Sequence, residues 1–403
     1  MPSSRLLIGK LIFSSLLLLF LLFSSSTFAV STDVKGFLAL DAFSLEKIEG
    51  RRQSAELGIG HFDLKLFADY QDFHMRASLY LGRTTSSNFE TSFLDEALLS
   101  WTPRYDTRLT FGKGRVPFHQ RRRGVIDSGY ISGGSILGTY HSLRDQKNKI
   151  LITYRYGAFS KKFFNHLTFY GDTREPNTLF DDPSMPYLTR EFGEITYRTR
   201  DNFNTKDQMG FANRFEWLPF RGLQVSTAAL WYRRKIDPTP NYAFDISSRY
   251  TVGNMQYYAE YVWAFISTHP NDRFAAEKQY EQIAQLGGEY RLNRQWSLAF
   301  NLEAAWVTSQ AHDKENYPNL PAYEGGYGQS FRNDGDTVRN RNQKIEAGVK
   351  RRWGRSMQIS SGVIYERQQR QNVPTGSNPS TFQRVEKVNN EAYRFGVNVA
   401  FWY

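Results

Sequence analysis

The chain ends in YRFGVNVAFWY, residues 393–403, a stretch that alternates between large apolar side chains and small or polar ones, with Trp402 as the one exception. Alternate residues of an extended strand point to opposite faces. One face of this strand would carry Tyr393, Phe395, Val397, Val399, Phe401 and Tyr403. Chain termini are usually polar and frayed. The pattern therefore predicts a final strand that is held in a sheet and whose apolar face is covered.

The same alternation recurs along the chain, for example in YAFDISSRY (242–250), WSLAFNLEAAW (296–306) and KIEAGVKRR (344–352). In the second of these, Leu302 falls on the apolar face and Glu303 on the polar one. Aromatic residues make up 16% of the chain. No stretch after residue 30 approaches the roughly 18 continuous apolar residues of a membrane helix. Strands with an apolar outer face and a polar inner face are typical of a membrane barrel.

The links between the predicted strands alternate in length. Short links such as TVGN (251–254) and WGR (353–355) alternate with long polar ones at 116–146, 172–208, 307–340 and 367–389. Tight turns on one side and large loops on the other are typical of outer-membrane barrels. We therefore predict an all-β fold: a transmembrane antiparallel up-and-down β-barrel of about 16 strands, with 14 or 18 as alternatives. A soluble β-sandwich would explain neither the loop asymmetry nor the aromatic content.

Two segments are less regular. Near His61 and Phe62 the apolar residues change from one alternate set to the other, which indicates a β-bulge. Residues 190–200 fit either a strand or a β segment within a loop.

The first residues are typical of a targeting segment. Arg5 and Lys10 precede and flank an apolar run at 11–23, and Thr27 and Ala29 occupy the small-residue positions before a cleavage site. We expect a cleaved signal peptide over 1–29 and a single barrel domain over 30–403, in the outer membrane of a Gram-negative cell. A retained membrane anchor is the alternative. The absence of cysteine is compatible with export.

One region resembles a known family. Residues 95–118, DEALLSWTPRYDTRLTFGKGRVPF, resemble the strand, turn and strand that precede the third external loop in the phosphate-selective porin O and P family. Residues 55–81 are similar to the early hairpin of that family. At 112–120 this chain has GKGRVPFHQ where the family usually has a Gln-Phe pair. The resemblance implies a sixteen-stranded porin, a homotrimer and a third loop folded into the lumen; it does not by itself imply phosphate.

The loop at 116–146 is the candidate constriction. It combines a basic segment with an apolar one, VIDSGYISGGSIL (125–137), that could pack against an inner wall. The candidate constriction residues are Arg115, His119, Arg121, Arg122, Arg123 and Asp127. Arginines in a narrow pore would concentrate anions. Alternatively, the arginine triplet lies on the outer surface and binds lipopolysaccharide phosphates.

The alternation also assigns a set of charged residues to the lumen wall: Arg76, Glu96, Arg108, Arg155, Arg214, Arg249, Glu303, Lys350 and Arg394. The mixture of signs indicates a transverse field or salt bridges along the wall. We expect a passive channel for small hydrophilic solutes with a weak preference for anions such as phosphate. The expected partners are outer-membrane lipid and lipopolysaccharide, and the barrel assembly machinery, which would read the terminal strand.

Other functions have little support. The seven histidines are scattered without metal-ligand spacing, and HSLRD (141–145) places its Ser, His and Asp next to each other, unlike a triad assembled from distant positions. We therefore predict no enzymatic activity, no metal and no cofactor. The basic residues form no nucleic-acid-binding module. A barrel that binds a ligand or adheres through long loops such as 316–336 remains the alternative function.

Overall fold

The computed structural model describes residues 31–48, 51–52, 57–82, 94–118, 149–172, 208–234, 240–267, 278–310, 337–375 and 383–402. The expected signal peptide at 1–29 and residues 119–146 of the candidate constriction loop lie outside them. So does the ambiguous segment at 190–200. Within the described residues the chain forms β-strands and one short 3-10 turn, Phe159–Lys161. These residues contain no helix long and apolar enough to cross a membrane.

The strands, numbered in chain order, are β1 Ser31–Ile48, β2 Arg51–Arg52, β3 Leu57–Tyr70, β4 Phe73–Gly82, β5 Leu94–Arg104, β6 Thr107–Gly114, β7 Lys149–Ala158, β8 Phe163–Asp172, β9 Gln208–Trp217, β10 Leu223–Arg234, β11 Asn241–Val252, β12 Met255–Ser267, β13 Lys278–Arg291, β14 Trp296–Gln310, β15 Thr337–Trp353, β16 Met357–Thr375 and β17 Gln383–Trp402. Sixteen of them are long. The two-residue β2 pairs only with the end of β1.

Each long strand pairs antiparallel with the next, and β17 pairs with β1 to close the sheet on itself. The closing register sets Leu38 opposite Phe401 and Phe37 opposite Trp402. Closure removes the exposed edges that an open sheet would present. The predicted fold class, an antiparallel barrel of about 16 strands, is confirmed.

The connections of two to five residues between consecutive long strands all lie at one end of the barrel, together with the start of β1 and the end of β17. Gln71–Asp72, Tyr105–Asp106 and Gly253–Asn254 form two-residue turns, and Gly253 takes the positive φ of 53° that a tight turn needs. The long connections lie at the other end. In outer-membrane barrels the short turns are periplasmic and the long loops extracellular, and the two ends are named accordingly below.

The predicted irregularity near His61 is a register shift in the pairing of β1 with β3. Ala39 pairs with His61 and Leu40 pairs with Ile59, so Gly60 is the additional residue. The loop predicted over 367–389 is shorter than expected. β16 extends to Thr375 and β17 begins at Gln383, because polar residues continue the hairpin ladder beyond the apolar band.

Burial across the wall is the reverse of that in a soluble protein. Large apolar side chains such as Phe244, Leu298 and Leu302 are exposed, whereas polar ones such as Asn301 and Glu303 on the opposite face are buried. Leu302 is 40% exposed and its neighbour Glu303 only 4%. The apolar face therefore points outward, where lipid would cover it, and the polar face points into the lumen.

Candidate functional site in the barrel interior

Four neighbouring strands contribute one basic row to the inner wall. Arg108 on β6 pairs with Arg155 on β7, Arg155 pairs with His166 on β8, and His166 pairs with Arg214 on β9. All four side chains belong to the inward set of alternate residues, since Ile152, Phe169 and Phe215 of the intervening set are exposed outward. We call Arg108, Arg155, His166 and Arg214 the basic row.

Arg214 is the most heavily bonded member of the basic row. Its Nε donates to Glu216 Oε1 over 2.9 Å, and its Nη2 donates to Ser226 Oγ over 2.8 Å. Its Nη1 donates to the backbone carbonyl of Phe118 over 2.8 Å and lies 3.9 Å from Asp245 Oδ1. A guanidinium with five donors is suited to joining several acceptors in this way. Arg214 therefore connects three strands of the wall to the segment that follows β6.

Arg108 and Arg155 make fewer hydrogen bonds than Arg214 and face each other. They are directly opposed across two antiparallel strands, where Cβ atoms are about 5 Å apart and like charges destabilise the pair. Arg108 Nε donates to Thr102 Oγ1 over 3.3 Å. The Arg155 guanidinium carbon lies 4.3 Å from the ring centroid of Phe164, and its buried Nε has no hydrogen-bond partner among the described residues. Within that part of the chain, no carboxylate forms a salt bridge with Arg155.

The wall on the far side of β10 is acidic. Glu303 and Asn301 on β14 hydrogen-bond to each other, and Gln285 Nε2 donates to Asn301 Oδ1 over 3.0 Å and to Glu303 Oε1 over 3.2 Å. Lys344 Nζ contacts Glu346 Oε1 at 2.7 Å. The Gln285 contacts join β13 to β14, whereas the Asn301–Glu303 and Lys344–Glu346 contacts each run along a single strand. Bonded to one another in this way, charged residues that face the lumen are nevertheless buried.

Charges on the inner wall are segregated by strand. The inward charges of β4–β9 away from the rims are Arg76, Glu96, Arg108, Arg155, Arg214 and Glu216. Those of β11–β15 are Asp245, Glu260, Glu281, Glu289, Glu303, Lys344, Glu346 and Lys350. Bases predominate in the first group and acids in the second. Such an arrangement produces a field across the lumen.

The segment after β6 turns inward. Phe118 is fully buried and Val116 is 2% exposed, and they form one apolar cluster with inward residues of the wall: Leu151, Tyr170, Ala212, Ala228, Leu230, Tyr232, Ala243, Val262, Ala264, Ile283 and Ala305. Arg115 is half-buried and makes contacts of its own. The other candidate constriction residues, His119, Arg121, Arg122, Arg123 and Asp127, lie outside the described residues.

The remaining residues assigned to the lumen wall occupy separate places. Arg76 pairs with Glu96 across β4 and β5, and Lys350 Nζ lies 3.2 Å from Glu289 Oε2. Arg249 is exposed near the periplasmic end of β11. Arg394 is described only by its backbone register, opposite Glu46 and Ile364.

The terminal strand has its large side chains on the outer face. Tyr393 is 51% exposed and Phe395 is 43% exposed. Val397, Val399 and Phe401 follow in the same alternation and are partly exposed. Tyr403 lies outside the described residues. The strand is held on both sides, by β16 and by β1.

Sequence reasoning missed several members of this interior. His166 was only one of seven scattered histidines, and Phe118 and Val116 were not distinguished from the rest of their loop. The register of Arg155 with His166 follows from the short turn between β7 and β8 and could have been found. Among the described residues, no group of His, Asp or Glu is arranged to hold a metal ion.

The barrel is similar to solved outer-membrane proteins. OmpT of Vibrio cholerae, in a trimer form, aligns with a TM-score of 0.56 at 14% identity, over 93% of this chain and 100% of that chain. The outer membrane channel DcaP of Acinetobacter baumannii aligns with a TM-score of 0.55 at 13% identity, over 93% and 97%. An anion-selective porin from Comamonas acidovorans aligns with a TM-score of 0.54 at 11% identity, over 92% and 100%.

No protein-family model and no curated protein matches the sequence. At these identities the structural similarities establish the fold alone. The chain thus has the fold of a porin-type outer-membrane barrel.

Proposed function

We propose that the protein is a passive diffusion channel of the outer membrane that admits small hydrophilic solutes and favours anions. The observation that carries this proposal is the direct opposition of Arg108 and Arg155 within the basic row. Two like charges on adjacent strands repel each other, and Arg155 forms no salt bridge among the described residues, where the Glu216 carboxylate acts on it only at longer range. A mobile anion would relieve that repulsion. The barrel fold, shared with an anion-selective porin, supports the same proposal.

Several finer features belong to this proposal. The loop at 116–146 would continue inward from Phe118 and narrow the lumen, with its arginines added to the basic side of the field. The resemblance to the phosphate-selective porins does not by itself imply phosphate, but together with the basic row it makes phosphate-like anions candidate solutes. A homotrimer is in keeping with the trimer form of the similar OmpT. Residues 1–29 would direct export and then be removed, and the channel would operate without a catalytic step.

Planar bilayers test the proposal. The purified protein should produce discrete current steps, and a KCl gradient should give a reversal potential on the anion-selective side. Reversal on the cation-selective side would contradict the anion preference while leaving the channel intact. Absence of current steps from folded, inserted protein would reject the channel and favour a binding or adhesive barrel that acts through its long loops.

A further inference from the structure

Arg351 occupies an unusual position on the outside of the barrel. It belongs to the outward row of β15, together with Ile345, Val349 and Trp353, and it pairs with Trp296 of β14. The corresponding outward positions near the other periplasmic turns hold residues such as Phe73, Trp101, Trp217 and Met255. Among the described strand residues of the periplasmic half, the lipid-facing rows hold one other charge, Arg104 at the end of β5, which pairs with Thr107 directly beside a turn.

Two indole rings hold the Arg351 guanidinium. The Arg351 Cζ atom lies 4.1 Å from the ring centroid of Trp353 and 5.0 Å from that of Trp296. Both distances are within the range of a cation–π interaction. The Arg351 Nε is buried without a hydrogen-bond partner in the described part of the chain, and no carboxylate there forms a salt bridge with it. Its charge is therefore fixed in place but not neutralised.

The depth of Arg351 corresponds to the boundary between hydrocarbon and headgroups. The turn begins at Gly354, three residues away, which is about 10 Å along a strand. Tyr290, Leu292, Trp296 and Trp353 are exposed or half-buried around it, and tryptophan and tyrosine are enriched at the membrane–water interface. The headgroup layer of one leaflet is only about 5–8 Å thick. A lipid phosphate would thus lie within reach of the guanidinium.

The neighbouring turns add charge and rigidity. Arg294 and Arg355 lie exposed in the two turns next to Arg351. The backbone N–H of Arg352 donates to the carbonyl of Gln295 over 2.8 Å, which ties the two turns together. Asn293 Oδ1 accepts from the backbone N–H groups of Gln295 and Trp296 over 2.8 and 2.9 Å. The cationic surface is therefore built on a fixed backbone.

We propose that Arg351, held between Trp296 and Trp353, binds the phosphate of a glycerophospholipid in the periplasmic leaflet, with Arg294 and Arg355 as auxiliary cations. Guanidinium groups bind phosphate through paired hydrogen bonds. The acyl chains would lie along the apolar outer face beside Val349 and Leu298. This assigns one specific lipid site, beyond the general covering of the barrel by membrane, and it does not depend on what the channel conducts.

Native mass spectrometry of the detergent-solubilised protein, titrated with phosphatidylglycerol, tests this site. Arg351→Gln should weaken binding of the first lipid by about ten-fold, and Arg351→Lys should restore part of it, because the charge remains without the planar fork. Arg352→Gln is the matched control. It removes an arginine charge from the next residue along β15, whose side chain belongs to the opposite, inward face. Equal loss in Arg351→Gln and Arg352→Gln would overturn the proposal, as would displacement of the lipid by millimolar inorganic phosphate.

Each variant is first checked for a folded barrel by heat-modifiable migration on a gel. Arg351→Lys keeps the proposal testable if Arg351→Gln does not fold. Co-sedimentation with purified peptidoglycan, an anionic polymer on the same side of the membrane, supplies the competing outcome. If Arg351→Gln binds lipid as the wild type does but no longer co-sediments with peptidoglycan, this surface binds the cell wall and the lipid site is rejected.

Discussion

The guanidinium of Arg214 and the backbone carbonyl of Phe118 are joined by a 2.8 Å hydrogen bond between residues 96 positions apart in the chain. The bond fixes the point where the chain leaves β6 against the wall at β9. Phe118 is fully buried in the same place, against apolar side chains of the wall. This contact couples the stability of the barrel to the shape of its interior.

Replacing Phe118 by Ala should both destabilise the barrel and widen the lumen. Loss of a fully buried phenyl ring typically costs about 3–5 kcal/mol, and removal of its volume should raise single-channel conductance. Urea unfolding in detergent and bilayer recordings measure the two effects. Tyr105→Ala, at a turn residue that is 78% exposed, is the control and should change neither. A conductance that stays at the wild-type value would show that Phe118 does not narrow the pore.

A second contact braces the periplasmic turns. Lys161 Nζ donates to Asp106 Oδ2 and to the Tyr156 hydroxyl, each over 2.6 Å. The hydrogen bond from Lys161 lowers the pKa of Asp106 below its usual 3.8, and the hydrogen bond to Asp106 raises the pKa of Lys161. A carboxyl group whose pKa is lowered by folding stabilises the fold at pH values above its unfolded-state pKa, and this stabilisation is lost as the pH falls. An ammonium group whose pKa is raised by folding stabilises the fold at pH values below its unfolded-state pKa, and this stabilisation is lost as the pH rises.

The melting temperature of Asp106→Asn should therefore fall below that of the wild type between about pH 4 and about pH 10. The difference should vanish in stronger acid, where Asp106 is protonated, and shrink in stronger base, where Lys161 loses its charge. Asp72→Asn, which removes another turn carboxylate, is the matched control. A difference that persisted unchanged at pH 2.5 would mean that the ion pair is not its cause.

The barrel could be predicted from sequence because its wall repeats one local rule. In strands such as 296–306, every second residue is apolar and the intervening ones are polar or small. The inward or outward assignment of Leu302 and Glu303 therefore needs no knowledge of distant residues. The closing strand could be predicted for the same reason. Tyr393 and Phe395 belong to its apolar row, and because the opposite face points into the lumen their rings lie on the outer face.

The interior could not be predicted to the same depth. Arg108 and Arg155 were both assigned to the wall, but their opposition depends on the register across the long link between β6 and β7, which the sequence of that link does not specify. The bond from Arg214 to Phe118 depends on tertiary packing. Alternation assigns Glu303 to the lumen wall but does not reveal its burial. That burial follows from hydrogen bonds with Gln285 on the neighbouring strand and with Asn301 on its own strand.

Deleting the last three residues should block barrel assembly. Phe401 and Trp402 pair with Leu38 and Phe37 at the seam between β17 and β1, so their loss opens the sheet at its closing edge. We expect no heat-modifiable folded species on a gel and accumulation in the periplasm. Deletion of three residues from an extracellular loop, such as 379–381, is the control. A truncated protein that inserts and folds normally would refute a role for these residues in closure.

Variants of the arginine triplet at 121–123 distinguish a loop that lies in the lumen from one whose arginines lie on the outer surface. If the loop lies in the lumen, replacing Arg121, Arg122 and Arg123 by Ala should shift the reversal potential toward cations, most strongly at low salt, where charges are screened over longer distances than about 8 Å. If the triplet lies on the outer surface, the reversal potential should stay constant at all salt concentrations. The surface alternative would also predict weaker binding of purified lipopolysaccharide by the triple variant.

The anion preference of the basic row can be measured as the reversal potential of the double variant Arg108→Gln/Arg155→Gln in planar bilayers under a KCl gradient. Removing the opposed pair should lower the anion-to-cation permeability ratio by about two-fold at 0.1 M salt, and less at 1 M. Arg233→Gln, which removes an exposed charge outside the lumen, should leave the ratio unchanged. The reversal potential of the double variant should therefore shift toward cations. An unchanged reversal potential in a folded, conducting double variant would show that the opposed pair is not the source of the anion preference.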